Sequence, residues 1–144
     1  MGKVSIVYWS GTGNTEAMAA AMAEGAKDAG AEVELLTVDK ADAAALSEAK
    51  AFALGCPAMG AEELEEGEME PFMAELDSQI AGKTIALFGS YGWGGGEWMR
   101  DWESRVVSDG AAVLSGEGII ADNVPDDDVL AECRAAGAKL AALV

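Results

Sequence analysis

The chain has 144 residues, 51% of them hydrophobic, and 9 basic against 26 acidic side chains give a net charge of −17 at pH 7. Its length suits one compact domain, and no apolar run approaches the roughly 20 residues that span a bilayer. The charge excludes nucleic acid and anionic membranes as partners and favours basic proteins.

Histidine is absent, so with Cys56 and Cys133 alone a soft-ligand metal site has almost nothing to build on. The N-terminal segment has no apolar stretch ending in a small-residue cleavage site. Ile6 stands where a myristoylation signal needs Ser or Thr, and the expected location is the cytoplasm. There both cysteines should stay reduced and pack as small apolar side chains.

Val4 to Trp9, a β-branched and aromatic run that stops at a Gly-rich turn, reads as a buried strand. From Asn14 to Ala29, Met18, Ala19, Met22, Ala23 and Ala26 recur at helical spacing, and Gly30 marks the stop. A second strand is expected over 33–38, a weak helix over 42–47 and a third strand over 51–56, ended by Pro57. The stretch 58–70 holds six Glu and two Gly without apolar periodicity, so it reads as a solvent-facing loop, with Pro71 opening the next helix. A fourth strand over 84–88 precedes a helix over 97–107, in which Trp98, Trp102 and Val106 share one face. Residues 112–114 and 118–121 make an interrupted fifth strand, and Val129, Leu130, Cys133, Gly137, Leu140 and Val144 pattern a final helix.

Strict alternation of strand and helix implies an α/β fold: a three-layer sandwich whose parallel sheet carries helices on both faces, joined by right-handed crossovers. The five-stranded order 2-1-3-4-5 places a ligand crevice at the C-terminal ends of the strands, beside the switch between the first and third. One domain should cover residues 1–144.

Three loops reach that edge. After the first strand comes Ser10-Gly11-Thr12-Gly13-Asn14-Thr15, where two glycines let amides turn inward and the side chains offer neutral donors at a helix start. It lacks the Lys of a Walker loop and the spacing of G-x-G-x-x-G, so a monophosphate held by neutral donors fits better than a triphosphate or a dinucleotide. After the third strand, Pro57-Ala58-Met59-Gly60-Ala61-Glu62 sets a flexible thioether beside a glycine. After the fourth, Ser90-Tyr91-Gly92-Trp93-Gly94 sets an indole among glycines. A planar aromatic ligand would sit well between Met59 and Trp93.

The segments YWSGTGNTE, GCPAMGAEELEE and ALFGSYGWGGGEWMRDWE resemble the three flavin-binding segments of short-chain flavodoxins, in the same order and over nearly the whole chain. The resemblance implies an electron carrier without substrate turnover that binds FMN. Ser10, Thr12, Asn14 and Thr15 would serve the phosphate, with Ser90 closing the site. Met59 would cover the inner face of the isoalloxazine ring and Trp93 the outer face. Glu62 would accept from flavin N3–H, Gly94 and neighbouring amides would meet the pyrimidine oxygens, and Asn123 the ribityl chain. Two positions depart from the pattern: Pro57 stands where a serine can add a phosphate contact, and Ala61 where a polar residue can occupy the turn.

The same resemblance implies that, on one-electron reduction, the Met59-Gly60 peptide turns its carbonyl toward flavin N5, which Gly60 permits. Neither flavin-flanking loop holds Lys or Arg, so a reduced, negatively charged ring should be costly and the carrier low in potential. Basic redox proteins, both reductases and electron acceptors, are the expected partners of a monomer. A receiver-type signalling module of this strand order would need acidic residues where Ser10-Gly11 and Pro57-Ala58 stand. A flavin-dependent reductase would need a substrate pocket for which the chain has little length to spare.

Overall fold

In the computed structural model, which describes residues 2–144, the first β-branched run forms β1 (Lys3–Tyr8), buried at every residue after Lys3. The chain then builds α1 (Asn14–Asp28), β2 (Glu32–Thr37), a one-turn α2 (Ala43–Leu46) and β3 (Ala51–Gly55). It continues through α3 (Met69–Leu76), β4 (Thr84–Tyr91), α4 (Glu97–Ser108), β5 (Ala112–Val113), β6 (Ile119–Asp122) and α5 (Asp127–Leu143). β3 is buried throughout, as a strand covered on both faces must be, whereas β2 at the sheet edge is only partly covered.

All strand pairs are parallel, in the order β2-β1-β3-β4, and β4 carries both β5 and β6 on its far side. β5 pairs with Thr84 and Ile85 and β6 with residues 88–91, so two short strands share the fifth position. The order 2-1-3-4-5 and the interrupted fifth strand are as expected.

Several boundaries differ. Trp9 lies outside the strand, half-buried, with its amide donating to the Gly55 carbonyl at 3.0 Å. β4 runs three residues beyond Phe88 because β6 supplies a partner there. α3 opens at Met69, so Pro71 sits in its first turn, where a missing N–H costs nothing. The segment 58–70 is not wholly solvent-facing, since Leu64 and Met69 are buried.

The sheet separates two apolar layers. Met18, Met22, Phe88, Cys133 and Leu140 pack on the side of α1 and α5, and Phe52, Leu54, Cys56, Trp98 and Trp102 on the side of α3 and α4. The two cysteines are therefore buried, unpaired and on opposite faces, and burial pushes both thiols up to about 12.

A charged clasp joins α3 to α4. Arg105 donates from Nη1 to Glu70 Oε2 at 2.7 Å and from Nη2 to Asp77 Oδ2 at 2.8 Å. Burial opposes ionisation of Asp77, yet its bonds to Arg105 hold it below the usual carboxylate range. Asp109, beside Asp77, keeps a buried Oδ2 without a partner; burial and the Asp77 carboxylate push it up to about 6. One arginine thus faces three carboxylates, and Asp109 holds its proton to higher pH than a free aspartate does. The folded state binds that proton more tightly than the unfolded chain, whose value is 3.8. The stability it contributes is complete below the unfolded value and is lost as pH rises through the folded one. Asp109→Asn removes this titration. The melting temperature of the parent relative to the variant is expected to fall between about pH 4 and pH 7, and a difference independent of pH would refute the raised Asp109 titration.

Candidate cofactor site

Parallel strands deliver their loops to one edge, and here the loops after β1, β3 and β4 enclose a cavity of about 280 Å³. Trp9, Gly11, Thr12 and Asn14 line it from the first loop, and Pro57, Ala58 and Met59 from the second. Ser90, Tyr91, Gly92 and Trp93 line it from the third, and Asn123 closes it from the residues after β6. Of the other candidate residues, Ser10, Gly13, Thr15, Gly60, Ala61, Glu62 and Gly94 lie in the same loops but not on the cavity wall. Clefts of about 290 and 380 Å³ lie elsewhere, and neither draws on these loops.

The first loop is held by neutral groups. Ser10 Oγ accepts from the amides of Gly13 at 3.1 Å and Glu16 at 3.3 Å, and Gly13, at φ +94°, turns the chain into α1. Among the described residues the amides of Gly11, Thr12 and Thr15 have no acceptor in the protein. Unpaired amides at a helix start are suited to an anion. Thr15 and Ser90 are both buried and their hydroxyls meet at 3.2 Å, with the Ser90 amide donating to Thr15 Oγ1 at 3.3 Å. Their pairing locks the first loop to the third.

At the other end, Trp93 is 52% exposed and Met59 half-buried. The amides of Gly92, Trp93, Gly94 and Gly95 have no acceptor among the described residues. Asn123, at φ +62°, donates its amide to the Tyr91 carbonyl at 2.7 Å, which holds its side chain over Gly92. Met59 and Glu63 exchange backbone hydrogen bonds at 2.9 and 2.8 Å. The Met59 carbonyl, expected to turn toward the ligand, is thus already committed to the Glu63 amide. The Gly60 carbonyl accepts no bond among the described residues, and Gly60 sits at φ +50° with open space around it. The Gly60-Ala61 peptide is accordingly the freer of the two.

Glu62, at φ +56°, directs its carboxylate away from the cavity wall: Oε1 accepts from the amides of Gly96 at 3.1 Å and Glu97 at 2.9 Å. Glu65 similarly accepts from the amides of Gly67, Glu68 and Met69 at the start of α3. Burial opposes ionisation of Glu65, yet these donors hold it below the usual carboxylate range. No Lys or Arg lines the cavity.

Trp9 is a wall residue that the sequence pattern assigned to the strand; its Nε1 donates to Glu68 Oε1 at 3.2 Å, tying the cavity wall to the end of the second loop. Its position directly before the Gly-rich turn was the available signal.

The family model described as Flavodoxin matches residues 6–137. A flavodoxin of Megasphaera elsdenii is 47% identical over 135 residues, covering 92% of this chain and 98% of that one. A flavodoxin of Clostridium beijerinckii is 46% identical over 138 residues, covering 96% and 99%. The solution structure of two-electron reduced Megasphaera elsdenii flavodoxin superposes with a TM-score of 0.86 at 46% identity, covering 94% of this chain and 98% of that one.

The floor beneath the second and third loops depends on one buried bond, from Trp98 Nε1 to the Cys56 carbonyl at 3.0 Å, the only donor that carbonyl has among the described residues. Trp98→Phe keeps an aromatic ring in the core and strands the carbonyl. Urea unfolding is expected to show a loss of about 1–3 kcal/mol; a variant as stable as the parent would show that the bond contributes nothing.

Proposed function

This chain belongs to the flavodoxin family of FMN-binding electron carriers, and we propose that it works as a single domain over 1–144, a cytoplasmic monomer of low potential that serves basic redox proteins. The observation that carries this reading is the convergence of three loops on one cavity with unpaired amides at one end and Met59 and Trp93 at the other.

These residues fit FMN. The phosphate meets the free amides of Gly11, Thr12 and Thr15, together with the hydroxyl of Thr12 and the side chain of Asn14, and needs no cation. Ser10 supports the loop from behind, and the Thr15–Ser90 pair fixes its distance from β4. The ring lies between Met59 and Trp93, with the amides of Gly92 to Gly95 available to its pyrimidine oxygens and Asn123 to the ribityl chain. Bound FMN supplies the one-electron chemistry; the chain orients it and sets the charge around it.

That charge is negative. Glu63, Glu66 and Glu68 are exposed beside the second loop, and no cation lines the cavity. Added negative charge on the ring is therefore disfavoured, which keeps the potential low. The same carboxylates attract a basic partner to the exposed edge, where Trp93 is half uncovered.

Two outcomes are expected. In calorimetry FMN should bind on the order of 100-fold or more tightly than riboflavin, because riboflavin leaves the phosphate amides unpaired; equal affinities would sink the phosphate assignment. Electron transfer from a basic partner reductase should slow as the Debye length shrinks from about 10 Å at 0.1 M salt to about 3 Å at 1 M. A rate indifferent to ionic strength would count against an acidic docking face.

A further inference from the structure

The second and third loops are joined near their tips by a single side chain. Among the described residues, the only hydrogen bonds from residues 59–66 to residues 92–97 are the two that Glu62 Oε1 accepts from the amides of Gly96 and Glu97. These are the first amides of α4, whose own N-cap, Gly96, has no side chain to satisfy them. The helix that begins beside Trp93 is thus capped from a loop more than thirty residues away.

The carboxylate has a seat. A Cβ built on Gly94 would lie 2.6 Å from Glu62 Cδ, 2.7 Å from Oε1 and 2.9 Å from Oε2, so no side chain at position 94 can coexist with Glu62 where it stands. Glu62 holds this position at a left-handed backbone angle that ordinary residues disfavour.

We infer that Glu62 is the strut that sets the gap between Met59 and Trp93, and that Gly94 is a positioning residue acting through it. The inference rests on the FMN reading for what the gap accommodates. Met59 lies three residues before Glu62 and Trp93 three residues before Gly96, so one capped carboxylate ties both walls at matching points. With Oε1 held by two amides, the carboxylate cannot rotate freely, and Oε2 receives no hydrogen bond from the described residues. The strut therefore fixes the separation of the two loops before any ligand arrives, which lowers the ordering cost of binding. Gly94 contributes the empty volume that lets the carboxylate lie between the loops.

The test compares Glu62→Ala, Glu62→Gln, Gly94→Ala and the Glu62→Ala/Gly94→Ala double variant. Amide hydrogen exchange at Gly96 and Glu97 is read by NMR on FMN-free protein, with the amides of β4 as the control for folding, and FMN dissociation constants are read by calorimetry. Glu62→Ala and Gly94→Ala are each expected to speed exchange at both amides by about tenfold, the loss of a helix cap, and to weaken FMN by about tenfold. Glu62→Gln, whose amide oxygen still accepts, should keep the parent's protection. In the double variant the second substitution should add little, because both remove one interaction. Unchanged exchange in Glu62→Ala overturns the strut. So does a Gly94→Ala effect of full size in the Glu62→Ala background, which would show that position 94 acts through its backbone angle alone. Exchange needs no ligand: a protein whose exchange responds as stated but which binds no FMN overturns the flavin reading instead.

Discussion

The first amides of a helix have no partner within it and must find one elsewhere, and in this acidic chain they find carboxylates. Asp42 serves α2 through the Ala44 amide, Glu65 serves α3, Glu62 serves α4, and Asp126 serves α5 through the Val129 amide. α1 is the exception. Its starting turn is held by the hydroxyls of Ser10 and Thr12, and the one carboxylate in that turn, Glu16, accepts from the Tyr8 hydroxyl instead. A carboxylate cap there would both occupy the free amides and repel a phosphate. The proposed anion site depends on one helix in five being left with neutral caps.

Much of this architecture is local enough to read from sequence. The β-branched, aromatic and apolar runs of β1 and β3, the helical spacing of Met18 and Met22, and the shared face of Trp98, Trp102 and Val106 each depend on neighbours a few residues away, and all pack as those patterns imply. The interrupted fifth strand was legible for the same reason. Where the pattern misled, the deciding partner was distant. β4 continues through Gly89, Ser90 and Tyr91, the first two of them poor strand formers, because β6 hydrogen-bonds to them. α3 starts ahead of Pro71 because Glu65 and its amides define the turn.

The site divides along the same line. Its loops could be located from glycines and strand ends, and its roles from the resemblance, but the contacts that hold it could not. Thr15 meets Ser90 across 75 positions, Trp9 meets Glu68 across 59, and Glu62 meets the start of α4 across 34 and 35. No spacing rule connects residues so far apart. The resemblance singles out Glu62 as a flavin ligand, but nothing in the run of six acids marks it as the one that caps α4.

That run separates into two physical classes. Glu62 and Glu65 are fixed on helix amides, Glu68 accepts from Trp9, and Glu70 is paired with Arg105. Their oxygens are engaged by neighbouring donors, and their work is to hold the loops. Glu63 and Glu66 are exposed and carry no side-chain partner among the described residues. These two project an unspent field past the cavity, and salt screens them most readily. In the proposed function, docking and potential therefore share one source of charge but draw on it unequally. A partner at long range feels the free pair and the net charge, whereas the ring at short range also feels the fixed acids through protein rather than water, where screening is weak. Neutralising Glu63 or Glu66 thus acts chiefly on encounter, while neutralising Glu62 alters the loops and the field together.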